Sequence, residues 1–370
     1  MVTRLYVDNF RCLVNFELKL DETNILLGPN GSGKTSVLDV LRRIRDLVAR
    51  GVRTREAFQV GDLSLLQKRS EQRFELDLQI AGSAYRYALC IQPAGDRSGM
   101  QLSEEILEHN GRPILVFQEG TLRLYDDDGA QTPSFPVELG GSGVGLVRTS
   151  SSTRRLNDFR QVMAGLVIAG PCPPLFRSET TSEDEYLEPL MQNFVAWYRY
   201  AAQENMGAIA GLFGALGEAL PGFESMDLAE SGENTRALKV AFRRPTDERG
   251  VDRYGFGQLS DGQRMLIALY CLVFLSTNRR VSLFLDEPDN YLALREVQPW
   301  LAEVVGRCGS VLDQAVVASH HPVTIDYMAG AKGRWFYRDG NGPVRVGNEP
   351  QTTGDGISLS ETVARGWDRE

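Results

Sequence analysis

Gly28-Pro29-Asn30-Gly31-Ser32-Gly33-Lys34-Thr35 fits the spacing G-x-x-x-x-G-K-[ST], and it follows the strand-like run Thr23–Leu27. Glycines at 28, 31 and 33 let the backbone curl so that successive N–H groups face one concavity, an anion nest with little steric cost. The spacing predicts that Asn30, Gly31, Ser32, Gly33 and Lys34 cradle the phosphates of a nucleoside triphosphate, with Lys34 reaching the β- and γ-phosphates. Thr35 offers its hydroxyl to Mg²⁺. The run 36–43, opened by Ser36, reads as a helix whose N-terminal dipole faces the phosphates. A glycine-rich surface turn would account for the glycines alone, but not for the apolar strand before them and the amphipathic helix after them.

The apolar run 281–285 delivers Asp286-Glu287-Pro288. A buried strand ending in two adjacent carboxylates lets them act differently, Asp286 on Mg²⁺ and Glu287 in the orientation or deprotonation of an attacking water. Between this pair and the phosphate loop lies Leu259-Ser260-Asp261-Gly262-Gln263-Arg264, followed by the apolar, helix-like stretch 265–274. Ser260 alone reads as a helix cap. Its order relative to the other motifs resembles the signature of ABC-class ATPases, in which the backbone and side chains at Ser260, Gly262 and Gln263 would bind a γ-phosphate. Asp289 to Leu294 then occupies the place of a D-loop. Beyond the strand-like run 314–318, His320 stands where a switch histidine would sense the γ-phosphate or hold water, with His321 a weaker candidate and His109 without comparable context.

The 370 residues carry 42% hydrophobic side chains and a formal charge of -9, enough for a sizeable core and opposed to a general attraction to nucleic acid. Arginines cluster at 42, 43, 45, 50, 53 and 55 and at 148, 154, 155 and 160, but Asp46, Glu56 and Asp158 dilute them. Cys12, Cys90, Cys172, Cys271 and Cys308 lack C-x-x-C spacing, so reduced thiols are expected rather than a disulfide framework or a zinc site. With neither a leader-like N-terminus nor a bilayer-length apolar segment in the sequence, a soluble cytoplasmic protein with no membrane partner is the expectation.

The middle of the chain is less informative. Alternation predicts strands at 73–80 and 85–91 and a hairpin from 113–117 and 122–125. Glycine and serine dominate 140–152, predicting a loop, and compact helices are expected between about 155 and 220, including 187–198 and 206–220, without sustained heptads. The division expected is an N-terminal ATPase lobe over 1–140, a loop and helical insertion over 141–249, and a C-terminal ATPase lobe over 250–370. Gln67 and Gln118 both remain open as the Q-loop residue.

Together these motifs, with the opening segment Leu5-Tyr-Val-Asp-Asn-Phe-Arg-Cys12, resemble the ABC-class ATPase heads of the RecF, SMC and OLD-like proteins, AAA-type ATPases of DNA repair and phage defence. The resemblance implies an α/β P-loop NTPase, with a mixed sheet, an antiparallel β-subdomain and a compact helical insertion. It implies ATP and Mg²⁺ as ligands, and Lys34, Glu287 and His320 as the catalytic set. Arg11 would lie near the phosphates. Two copies, or a higher oligomer, would meet head to tail, the Ser260–Gly262–Gln263 face of one completing the site of the other. The tail after about residue 340 is too short for a Toprim nuclease domain, so a separate effector protein such as a nuclease is expected, with nucleic acid a compatible ligand. The alternative is a nucleotide-gated binding subunit with little turnover. A transporter ATPase is disfavoured by the long separation of Thr35 from Leu259.

Overall fold

The computed structural model describes residues 1–95, 99–132, 134–136, 140–148, 150–244, 247–276, 281–347 and 358–364. Parts of the expected loop (residue 149) and of the expected C-terminal lobe (277–280, 348–357 and 365–370) lie outside the described residues. The chain divides into two compact units, Met1–Leu166 with Lys332–Glu349, and Val167–Ala331 with Pro350–Glu370.

An eight-stranded sheet in the first unit has the order Phe16–Lys19, Val2–Asp8, Gln72–Ile80, Ser83–Pro93, Met100–His109, Arg112–Gln118, Thr121–Leu124, Phe135–Pro136. Every neighbouring pair is antiparallel. Three of its hairpins close through two residues, Ala81-Gly82, Asn110-Gly111 and Glu119-Gly120, all with positive φ. That is the twist-matched turn that antiparallel strands favour, and glycine at the second place takes it without strain. On this sheet Glu75 accepts hydrogen bonds from Arg4 (2.9 Å), Arg73 (2.9 Å) and Arg86 (2.7 Å). Burial alone would raise its pKa, but the three guanidinium groups prevail and hold it down to about 2.

A second group of strands in this unit carries the phosphate loop. Thr23–Leu27, buried along its whole length, runs parallel to Gly333–Tyr337, which pairs antiparallel with Arg345–Gly347. The loop leads into the 16-residue helix Lys34–Ala49, whose Val37, Leu38, Val40, Leu41 and Ile44 are buried. Its arginines are neutralised on the spot: Arg42 and Arg43 pair with Asp39, Arg43 also with Asp62, and the buried Arg45 with Asp46. The expected loop over 140–152 contains a short helix, Gly143–Leu146, capped by Ser142. Buried Glu105 fixes it, accepting from Tyr87 Oη (2.6 Å), the Ser142 hydroxyl and Gly143 N (2.6 Å). The helix Arg154–Ala164 also belongs to the first unit.

The second unit is built on the parallel pair Val281–Asp286 and Leu312–Ala318. The helix Asp261–Phe274 buries every residue from Met265 onward, so the apolar run is a core helix rather than an amphipathic one. The helices Phe194–Glu204, Ile209–Ala219 and Leu294–Arg307 belong here. So does a sheet of Glu179–Thr180, Thr235–Arg244 and Phe223–Gly232, with Asp247–Gly255 also paired to Thr235–Arg244. Phe194 and Phe256 stack at 5.3 Å and knit the helices to this sheet's exit. Among the described residues no helix is long and apolar enough to cross a membrane.

Because Glu75 has a depressed pKa, its contribution is complete above the ordinary carboxylate value and is lost as pH falls toward about 2. Glu75→Gln should therefore lower the unfolding midpoint at pH 7 and flatten the acid limb of a stability–pH curve between about 4.5 and about 2. Denaturant titration across that range measures both.

Candidate active site

The phosphate loop owes its shape to glycines with two different jobs. Gly28 (φ +142°) and Gly33 (φ +99°) lie against other chain: a Cβ on Gly28 would sit 2.3 Å from the Phe336 carbonyl oxygen, and one on Gly33 2.8 Å from Val344 Cγ2. Gly31 (φ +77°) faces open space and is needed for its left-handed backbone alone. Gly33 brings no side-chain cap to the helix it opens at Lys34, so no capping side chain competes with an anion at the helix start. Lys34 is buried, and its Nζ donates to the carbonyls of Gly28 (2.6 Å) and Pro29 (3.3 Å), folded back on the loop whose phosphates it would otherwise meet. Ser32 is 2% exposed, and its hydroxyl has no hydrogen-bond partner among the described residues. A buried unpaired donor beside a buried lysine in a left-handed glycine loop suits a phosphate group. Asn30 is exposed at the loop's tip.

Arg11 is placed by carboxylates. Its Nε donates to Asp62 (3.1 Å) and its Nη2 pairs with Asp39 (3.0 Å) on the phosphate-loop helix, while Arg43 bridges the same two acids from the other side. The Phe10 ring lies under both guanidinium groups, at 4.9 and 5.2 Å. Arg11 is thus anchored next to the helix rather than extended from a free turn, and it would exchange an ion pair to touch a phosphate. Gln67 donates to Asp8 (3.1 Å), and Gln118 ends a hairpin strand of the eight-stranded sheet. Neither gains a distinct site role from its placement.

In the second unit the carboxylate pair stands at the end of Val281–Asp286. Gly170 lies against Asp286, where a Cβ would come within 3.4 Å of the Asp286 Cβ. Glu287 takes a left-handed backbone (φ +49°), unusual for its residue type, and is held there by donation from its N–H to the Ala318 carbonyl at 2.7 Å. One carboxylate oxygen accepts from Asn290 Nδ2 (2.6 Å), and the other faces His320 Nε2 at 3.9 Å. Both side chains are a little over a third exposed, so the carboxylate and the imidazole open onto the same accessible point. Behind them Asp289 is 1% exposed and accepts from Ser319 Oγ (2.6 Å) and from the Thr324 hydroxyl. Ser319 Oγ in turn accepts from His321 N (2.9 Å). The turn after the carboxylates and the turn bearing His320 are therefore one hydrogen-bonded body. Neither Asn290 nor Asp289 has a role assigned by the sequence motifs. The signal available is their position immediately after Glu287-Pro288, inside the segment that the motif order makes a D-loop candidate.

Ser260 and Gln263 form a reciprocal capping box. Ser260 Oγ accepts from Gln263 N (3.2 Å), and Gln263 Oε1 accepts from Ser260 N (3.0 Å). The helix start remains accessible while capped, since Ser260 is exposed and Gly262 and Gln263 are half-buried. Gly262 has a packing reason to lack a side chain, because a Cβ there would stand 2.9 Å from the Tyr291 carbonyl oxygen. The helix opened by Ser260 thus rests directly on the backbone of Tyr291.

Residues 1–83 match the family described as AAA ATPase domain. Among solved structures, an SMC head bound to the C-winged helix domain of ScpA is similar to this chain with a TM-score of 0.56, at 14% identity over 98% of this chain and 99% of that one. The chain has the fold of an SMC head. The SMC head domain from Thermotoga maritima matches with a TM-score of 0.49 at 14% identity, over 94% and 98% of the two chains. An Smc head with an extended coiled coil, bound to a ScpA domain derived from Pyrococcus furiosus, matches at 0.49 and 12% identity over 98% of each. No curated protein matches the chain. The SMC-head fold agrees with the α/β, ABC-type head architecture read from the motifs.

Gly262→Ala would drive a methyl group into a backbone oxygen that no side-chain rotation can move. Overpacking of this kind typically costs about 1–3 kcal/mol. A chemical-denaturation midpoint lowered by that amount is expected, with no comparable loss for alanine at Gly207, where nothing lies within 4 Å.

Proposed function

We propose that this SMC-type head binds ATP with Mg²⁺, hydrolyses it, and pairs head to tail with a second copy around the nucleotide. The observation that carries the reading is the loop Gly28–Thr35, with its left-handed glycines, buried Lys34 and unpaired Ser32 hydroxyl at the uncapped start of a 16-residue helix. On this reading the loop N–H groups and Lys34 hold the phosphates. Thr35 and Asp286 would hold Mg²⁺, whose chemistry is to neutralise charge on the phosphate oxygens. Among the described residues no three His, Cys, Asp or Glu side chains form a metal cage, which suits a cation bound largely through phosphate and water.

Glu287 orients water and takes its proton, with Asn290 fixing the carboxylate and His320 facing its free oxygen. Ser260, Gly262 and Gln263, accessible at a helix start, suit the γ-phosphate held by a partner copy.

Nucleotide-driven pairing would gate a separate effector in nucleic-acid processing or genome defence. Two observations support a protein effector over a direct DNA track: the net charge is -9, and Arg42, Arg43 and Arg45 on the phosphate-loop helix are paired with aspartates. One of the matched SMC heads is itself bound to a winged-helix domain.

Lys34→Ala should abolish Mg-ATP binding in calorimetry. Glu287→Gln should bind as the wild type does while turnover falls by about 10²- to 10⁴-fold, the range for a lost general base, and its ATP-bound mass should be that of a dimer. Wild-type protein that binds no nucleotide would sink the proposal. Tight binding and pairing with negligible wild-type turnover would identify a gated switch instead.

A further inference from the structure

The phosphate loop is gripped by a hairpin from the far end of the first unit. Phe336 meets Gly28 and Val344 meets Gly33, so both flanks of the loop are fixed by close packing. The apex is different, because nothing lies within 4 Å of a Cβ on Gly31. Beyond the turn bond from the Ser32 N–H to the Pro29 carbonyl, the apex is held by Arg338, whose Nη1 donates to the Gly31 carbonyl at 3.2 Å. Its Nε and Nη2 donate to the carbonyls of Gly342 (2.9 Å) and Asn341 (3.0 Å), which braces the guanidinium within its own turn. No carboxylate pairs with Arg338 among the described residues.

A trans peptide is planar, with its C=O and N–H pointing in opposite directions. Fixing the Gly31 carbonyl therefore fixes the direction of the Ser32 N–H, which donates to Pro29 O at 3.1 Å. Without that anchor the Ser32–Pro29 turn bond alone orients the peptide, and a glycine free of steric neighbours leaves that well more readily, so backbone freedom must be given up when phosphate arrives. We propose that Arg338 is a positioning residue of the nucleotide site, holding the Gly31–Ser32 peptide in the shape that receives the phosphates of a nucleoside triphosphate. This rests on the ATP-binding reading above. It places no reacting group in contact with Arg338, so the residue acts on binding and not on the chemical step.

Arg338→Ala and Arg338→Lys are to be compared with the wild-type full chain for Mg-ATP affinity, kcat, KM, thermal midpoint and hydrogen exchange over residues 28–34. Arg338→Ala should weaken Mg-ATP binding about tenfold, in the range for one charge-assisted hydrogen bond, with kcat at saturation changed less than about twofold. Arg338→Lys should recover part of the affinity, since an ammonium can reach one carbonyl but not span three. Exchange across 28–34 should quicken in both nucleotide-free variants, while that of Val2–Asp8 stays as in the wild type. Unchanged affinity in Arg338→Ala, a fall confined to kcat, or loss of the fold in both variants would each overturn the assignment. Wild-type protein that fails to bind Mg-ATP would instead overturn the nucleotide reading on which it rests.

Discussion

The parallel pairing of Thr23–Leu27 with Gly333–Tyr337 is the constraint on which the phosphate loop depends. These strands come from opposite ends of the chain, and Asn24 reinforces the pairing by donating to the carbonyl of Lys332, 308 residues away. A contact across such a separation demands a large loop-closure entropy before it returns any energy. The local nest sequence is therefore necessary but insufficient. Gly28 and Gly33 need Phe336 and Val344 in place before their flanks are shaped. The glycines that bind phosphate in the proposed reading are also the only residues small enough to let that distant hairpin close.

Charge in this molecule is organised for internal pairing. The arginine-rich helix after the phosphate loop looks cationic in sequence, yet Asp39, Asp46 and Asp62 take up its guanidinium groups, and Phe10 stacks beneath two of the arginines of this cluster. Buried or half-buried pairs of this kind specify geometry more than they add stability. Here they tie the N-terminal segment of Arg11 to the helix that opens the nucleotide cradle.

Much of this is legible in the sequence, for identifiable reasons. The run before Gly28 and the run before Asp286 read as strands because each ends in three consecutive apolar residues, Ile25-Leu26-Leu27 and Leu283-Phe284-Leu285, as suits strands covered on both faces. The alternation at 73–80 and 85–91 predicts paired strands, and the structure places the turn at Ala81-Gly82 with the second strand already begun at Ser83. Asn110-Gly111 is a strong hairpin dipeptide that the strand expectations above passed over. Other features have no sequence-local signal. The short helix at Gly143–Leu146 exists because a buried glutamate from a distant strand satisfies its first turn, and glycine and serine composition alone argues for a loop. Arg338 lies far from every recognised motif and becomes relevant only once the hairpin is folded against Gly31. Glu287 is readable from its place after Asp286, but its left-handed backbone and its Asn290 partner follow from the turn geometry.

Asp289 has a mechanical consequence. It is buried, it is shared by Ser319 and Thr324, and one of its oxygens has no partner among the described residues. Two surface turns that would otherwise fluctuate independently are thereby riveted into a single lever, with Glu287 at one tip and His320 at the other. A push on either tip must displace both, so on the proposed head-to-tail pairing a force delivered by a second copy to the turn at Asp289 would be felt at the histidine without any intervening relay.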